Sequence, residues 1–192
     1  MAVSTIGPSG LNDTIVSGKT ALAATPAGTD ELLISDAGTI KRIDTSFFFN
    51  TPAFKATMSS GQSVSNDTTT RLAFNSLTNG FDTDSAFNTS TNKFTIPSGK
   101  AGKYYFNMMV RSGNITDTKK VGGYLMKNGT EIDPGQFWNV SSNGSEQYSV
   151  IVTALFEMSV GDYAVAKVLL QDGGASTFGS VGAVFQGFRL IG

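Results

Sequence analysis

The chain is 192 residues long, 40% hydrophobic and 15% charged, with a formal net charge of −1. It contains no Cys and no His, which excludes disulfides, thiolate and imidazole metal sites, cysteine nucleophiles and a Ser-His-Asp triad. No basic stripe runs along any segment and no apolar run reaches about 18 residues, so neither nucleic-acid binding nor membrane insertion is expected.

The 14 Phe supply bulky apolar surface, and the 22 Gly among many Ser, Thr and Asn predict turns joining short strands. The expected class is all-β. A charged fraction this low favours burial between subunits as well as within one. The opening MAVSTIGPSG has neither the basic region nor the apolar run of an export signal.

Residues 1–11 are expected to form an extended arm, because Gly7-Pro8-Ser9-Gly10 continues neither a helix nor a central strand. Residues 12–52 read as a small attachment or trimerisation module with its linker. Within it, Glu31-Leu32-Leu33-Ile34-Ser35 and Thr39-Ile40-Lys41-Arg42-Ile43 are predicted to pair across Asp36-Ala37-Gly38 as a β-hairpin. Leu33, Ile40 and Ile43 give it an apolar side too small for a core, so it needs a surface to pack on. Copies of itself around a three-fold axis are one answer, and the chain's own main domain is another. Phe47-Phe48-Phe49 cannot all face one side of a strand, so some must meet a neighbouring element or chain.

From Ala53 onward the pattern is strand after strand. Ala53–Met58 opens it, Arg71–Ser76 follows with Leu72 and Phe74 on one face, and Asn79-Gly80 reads as a turn. Lys93 to Val110 is the clearest stretch. Phe94 and Ile96 alternate with Lys93 and Thr95, a Pro97–Gly102 turn follows, and Tyr104, Phe106, Met108 and Val110 then share one face. Tyr105 and Met109 sit on the opposite face, which predicts either a central position for the strand or a subunit contact on its outer side. Gly122–Lys127 and Thr130–Ile132 flank the hairpin turn Asn128-Gly129. Gln136–Glu146 reads as a polar loop holding Phe137 and the single Trp138, candidates for stacking on a sugar or anchoring a protein. Tyr148–Met158, Tyr163–Leu170 and a last pair from Thr177 to Ile191 complete the strands.

Two resemblances attach to these residues. The segment TALAATPAGTDELLISDAGTIKRID, residues 20–44, resembles one that recurs in phage virion proteins such as tail and head fibres, where it precedes a distal domain. Residues 53–192 resemble the C1q/TNF-like jelly roll. The matching pieces, in family order, are Ala53-Phe54-Lys55-Ala56, Lys93-Phe94-Thr95-Ile96-Pro97, Gly102-Lys103-Tyr104-Tyr105-Phe106, Lys127-Asn128-Gly129, Val160-Gly161-Asp162-Tyr163 and Phe185-Gln186-Gly187-Phe188-Arg189-Leu190. Asn92 stands where that family usually has Gly, and Tyr163 where it has Val. No Gly-X-Y collagen stalk is present.

The resemblances imply an antiparallel jelly-roll head on an N-terminal hairpin, assembled as a homotrimer. They imply a non-enzymatic phage virion protein of fibre or spike type. Its N-terminus, residues 1–49, would touch other virion proteins, and its head would bind a host-surface glycan or protein. A capsid decoration protein and a free bacterial C1q-like lectin or adhesin are the alternatives. Candidate trimer or attachment contacts are Leu33, Ile40, Ile43, Phe47, Phe48, Phe49, Tyr105 and Met109. No cofactor is expected. Some of these relatives hold calcium, but Asp82, Asp84, Asp117, Glu131 and Asp133 lack calcium-loop spacing. Asp82 and Asp84 are close enough to suggest a glycosidase pair, yet no apolar pocket surrounds them in sequence to raise one pKa.

Overall fold

A computed structural model of the chain describes residues 20, 22–113, 115–116, 120–131, 136–139, 145–171, 175–179 and 181–190. The extended arm expected over residues 1–11 lies outside the described residues. The chain divides into two compact units, the first ending at Phe48 and the second beginning at Phe49.

In the first unit, β1 (Glu31–Asp36) pairs with β2 (Thr39–Asp44) without a register shift, from Glu31 opposite Asp44 to Asp36 opposite Thr39. Ala37 and Gly38 both have positive φ, 48° and 83°. Two such residues make the turn whose twist matches that of the flanking strands. Strand alternation then sorts the side chains. Leu33 and Ile40 share one face with the ion pair Arg42 Nη1–Glu31 Oε2, 2.8 Å. Ile43, expected beside them, lies on the other face with Leu32, Ile34 and the Lys41–Asp36 ion pair. The reason is parity: Ile43 sits opposite Leu32, an even-numbered neighbour of Ile34, and not opposite Leu33. Both faces are exposed, Leu33 to 73% on the one and Leu32 to 48% on the other. The chain then makes a 3-10 turn over Thr45–Phe48, anchored where the amide of Thr45 donates to the carbonyl of Asp30 at 2.8 Å. Phe47 and Phe48 are exposed on it.

The second unit is a sandwich of short strands in chain order: β3 (Ala53–Thr57), β4 (Gln62–Val64), β5 (Thr70–Arg71), β6 (Ser76–Asp82), β7 (Phe87–Asn88), β8 (Lys93–Thr95), β9 (Gly102–Arg111), β10 (Ile115–Thr116), β11 (Lys120–Lys127), β12 (Thr130–Glu131), β13 (Gln136–Asn139), β14 (Ser145–Glu146), β15 (Ser149–Met158), β16 (Tyr163–Gln171), β17 (Ser176–Phe178) and β18 (Val184–Arg189). One sheet runs β15-β9-β18-β3-β6. The facing sheet runs β12-β11-β16-β8-β7, with β13 also on β11 and β5 also on β16. Pairing is antiparallel throughout these sheets. The all-β, antiparallel jelly-roll class expected from the sequence is the observed one.

The two inner faces meet on aromatic rings. Phe54 stacks on Phe94 at 4.5 Å and on Phe87 at 4.9 Å, and takes Phe185 edge-on at 4.9 Å. Such offset and edge contacts add about 0.5–1.5 kcal/mol each beyond area burial. Phe106 lies within 6.4 Å of five further rings, those of Phe54, Phe94, Tyr104, Phe156 and Phe185. Every buried apolar side chain among the described residues belongs to this unit, so it carries its own core.

Three sequence expectations are corrected. Arg71–Ser76 is not one strand: β5 ends at Arg71, although Leu72 and Phe74 are fully buried. A glutamine substitutes for a ladder there, with Gln62 Oε1 accepting from the Ala73 amide at 2.8 Å and Gln62 Nε2 donating to the Arg71 carbonyl at 3.1 Å. Asn79-Gly80 does not reverse the chain. It lies inside β6, where Asn79 has φ 63° and the register against β3 shifts between Lys55 and Thr57. That is a bulge, and it is the glycine that admits it, since a Cβ on Gly80 would stand 2.0 Å from the Lys55 carbonyl oxygen. Gln136–Glu146 is not a loop throughout, because β13 pairs residue by residue with β11.

Candidate functional site

Strand β15 reads SVIVTALFEM, and its residues alternate strictly between exposed and buried. Val150, Val152, Ala154, Phe156 and Met158 fill the core. That parity sends Ile151, Thr153, Leu155 and Glu157 outward. In β9 the same rule buries Tyr104, Phe106, Met108 and Val110 and sends Lys103, Tyr105, Asn107, Met109 and Arg111 outward. In β18 it leaves Val184, Gln186 and Phe188 outside.

Register aligns these outward residues into rows across the sheet. Ile151, Met109, Val184 and Thr57 form one. Thr153, Asn107, Gln186, Lys55 and Phe81 form the next. Leu155, Tyr105 and Phe188 form the third, with the rings of Tyr105 and Phe188 5.5 Å apart. Glu157 opposite Lys103 closes the face with one charge of each sign. Leu155 is 64% exposed and Ile151 46%. A solvated sheet face carries polar residues at such positions. Exposed apolar bands of this kind mark an interaction surface, and covering the exposed part of Leu155 alone is worth about 1–2 kcal/mol.

Tyr105 and Met109, singled out from the sequence, therefore lie on this face. Ile151, Leu155, Phe188 and Phe81 were not singled out. The sequence held a signal for two of them, since Ile151 and Leu155 occupy the wrong parity in a strand whose other parity is already apolar. Leu33, Ile40, Ile43, Phe47 and Phe48 belong to the first unit, and half-buried Phe49 opens the second. Phe137 and Trp138 lie on β13 opposite Gly122 and Val121, and their side chains are outside the described residues.

The acids weighed from the sequence have structural roles where they are described. Asp82 accepts from the backbone amides of Ala86 and Phe87 at 3.0 and 2.8 Å, closing its loop. Asp84 accepts from the Thr83 hydroxyl and faces Lys100 at 3.8 Å. Asp117, Asp133 and the side chain of Glu131 lie outside the described residues. Among the described residues no three His, Cys, Asp or Glu side chains gather. Among the described residues, the pKa values of Asp162 and Tyr104 are displaced by their surroundings. Hydrogen bonds from Asn128 Nδ2, the Ser159 amide and Lys127 Nζ hold Asp162 down at about 2. Burial pushes Tyr104 up to about 12, and its hydroxyl donates to the Lys100 carbonyl.

The chain can be compared with solved structures. The globular domain of zebrafish complement 1qA superimposes with a TM-score of 0.52 at 19% identity, over 72% of this chain and 97% of that one. Eiger, a TNF from S. frugiperda, gives a TM-score of 0.47 at 13% identity, over 72% of this chain and 90% of that one. The first likeness shows the fold. No protein-family model and no curated protein sequence matches the chain.

Proposed function

We propose that the protein is a non-enzymatic homotrimeric binding head carried on a phage virion, a fibre- or spike-type protein attached through its N-terminal hairpin. One observation carries the assembly: a domain with a complete core of its own still exposes the apolar rows around Leu155, Tyr105 and Phe188. A second copy of the chain suits this face, because the rows hold one charge, Lys55, and the face ends in the oppositely charged neighbours Glu157 and Lys103. The complement 1qA fold supports the reading, and so does the resemblance of residues 20–44 to phage virion segments. The hairpin supports the attachment role, since it exposes aliphatic side chains on both faces and a two-stranded hairpin is marginal alone. Three heads on one particle would turn weak surface contacts into useful avidity.

The test is the native mass of the full chain and of residues 50–192 in dilute solution. Both are expected to be trimers, and Leu155→Arg is expected to leave folded monomers. The truncated head is expected to remain soluble yet fail to join virions. A monomeric wild-type chain refutes the assembly, and normal incorporation of the truncated head refutes the attachment role.

A further inference from the structure

The middle row of the outer face differs from its neighbours. Thr153, Asn107 and Gln186 are polar, and they separate two apolar bands, Ile151–Met109–Val184 and Leu155–Tyr105–Phe188. Asn107 and Gln186 face each other across the β9–β18 ladder, and both are half-buried already. Gln186 Nε2 donates to Asn107 Oδ1 at 3.4 Å. That bond uses the carbonyl of Asn107 and one hydrogen of Gln186. The amino group of Asn107 and the carbonyl of Gln186 make no hydrogen bond among the described residues. Each copy thus presents the Asn107 amino group as a free donor and the Gln186 carbonyl as a free acceptor, between two apolar bands and in the row that ends in Lys55 and Phe81.

We propose that this amide pair sets the register of the contact between copies: the Asn107 amino group of one copy donates to the Gln186 carbonyl of the next, and the bonds close as a ring. The inference rests on the homotypic reading given above and specifies how the copies align. Apolar burial alone does not fix the alignment, because the two bands flanking the amides are alike in size and character. Were the middle row apolar too, a copy slipped by two residues along β9, roughly 7 Å, would again lay apolar bands on apolar bands. The same slip would press the amides beneath an apolar band, with donor and acceptor both unsatisfied. A group buried without its partner weakens association by about tenfold or more, whereas a matched pair is close to neutral. The row therefore penalises wrong alignments more than it strengthens the right one, as a buried asparagine does in a coiled-coil seam. Each copy gives one amino group and offers one carbonyl, so a closed cyclic contact engages every Asn107 amino group and every Gln186 carbonyl.

The experiment is sedimentation equilibrium and native mass spectrometry on the full chain as wild type, Asn107→Leu, Gln186→Leu and the double variant. The wild type is expected to give one trimeric species. Each single variant is expected to move the dissociation midpoint to about tenfold higher concentration, since it strands the opposite amide. The double variant strands nothing, so it is expected to return to within about threefold of wild type, but as more than one species. Asn107→Asp, nearly isosteric and on the outer face, is expected to assemble near pH 4 and to dissociate about tenfold more readily near pH 7, where the carboxylate is charged. Single variants that assemble as the wild type does, or a double variant whose loss is the sum of the singles, overturn the amide ring while leaving the trimer standing. So does an Asp variant indifferent to pH. A wild-type monomer is read before any variant and overturns the homotypic reading together with the ring.

Discussion

Replacing Gly187 with Ala tests the packing that holds the outer face in place. Gly187 lies in β18 directly opposite Phe106 in β9 and points inward. A Cβ there would stand 2.5 Å from Phe106 Cδ1 and 2.8 Å from the Tyr105 carbonyl oxygen. Neither neighbour has room to move. The Phe106 ring is fully buried among Phe54, Phe94, Tyr104, Phe156 and Phe185. The carbonyl belongs to the backbone of the central strand β9. Overpacking of this kind costs about 1–3 kcal/mol. Removing a glycine returns only about 0.4–1 kcal/mol by stiffening the unfolded chain. The net loss of about 1–2 kcal/mol corresponds to a fall in Tm of about 3–8 °C for a domain of this size. Differential scanning calorimetry measures it, with a urea titration to check that the m-value is unchanged. Because the methyl would push β18 from β9, it would also part Gln186 from Asn107 and Phe188 from Tyr105, so the variant is expected to dissociate at higher concentration as well. A Tm equal to or above that of the wild type would show that β18 can shift freely, and would refute the argument that the face is rigidly held.

Two further predictions concern titration. Asp162 ties the turn before β16 to the β11–β12 turn through Asn128 and Lys127. Its folded pKa of about 2 lies below the ordinary 3.8, so its contribution is complete above about pH 4 and disappears as pH falls toward 2. Asp162→Ala is accordingly expected to lower stability by about 1 kcal/mol at neutral pH, and Tm curves of the two proteins should converge between about pH 4 and pH 2. Parallel curves down to pH 2 would refute the assigned role. Tyr104 shows the opposite case. Its folded pKa of about 12 lies above the ordinary 10.0, so its contribution is complete below pH 10 and is lost as pH rises to 12. Tyr104→Phe leaves the Lys100 carbonyl without its hydroxyl donor, at about 1 kcal/mol near pH 7. The deficit should shrink above pH 10 in denaturant titrations, and a constant deficit to pH 12 would contradict burial as the cause of the shift.

What the sequence disclosed follows from what is local. Alternation in β9 and β15 and the Asn128-Gly129 turn depend on neighbours in the chain, and these were legible. Asn79-Gly80 carries the same dipeptide and the same positive φ at Asn, yet it continues the strand. Asn-Gly signals a tolerated backbone conformation, and whether the chain then reverses is decided by the partner strand, here by Lys55 approaching Gly80. Leu72 and Phe74 were legible as core, but their backbone geometry depends on a glutamine ten or more residues earlier. The outer face sits between these cases. Tyr105 and Met109 stand out in one strand, whereas the three-row pattern exists only once Asn107 is set beside both Thr153 and Gln186. Register between distant segments is a tertiary quantity, and no window of sequence contains it.

The two units differ in what their order depends on, and this orders the steps of assembly. The second unit buries its aromatic core without help. The hairpin buries no aliphatic residue: Leu32, Leu33, Ile34 and Ile40 are all exposed, and the ion pair on each face is solvated. Solvated pairs of this kind contribute about 0–1 kcal/mol. Its stability must therefore come largely from whatever covers it. If heads associate through the outer face, three hairpins become tethered to one body, at an effective concentration that short linkers place in the millimolar range. Apolar faces too small to associate from dilute solution are then brought within reach of one another or of a common partner. A contact of two-sided hairpins tolerates no surplus face, because covering only one leaves Leu33 and Ile40, or Leu32 and Ile34, in water. A ring in which each hairpin sets one face against the opposite face of the next leaves none uncovered. Protection of the Leu32–Ile34 and Ile40–Ile43 amides in hydrogen exchange should accordingly appear only in assembled chains and vanish in the Leu155→Arg monomer. Equal protection in both would place the hairpin's stability within the single chain, and the dependence of its order on the head would be refuted.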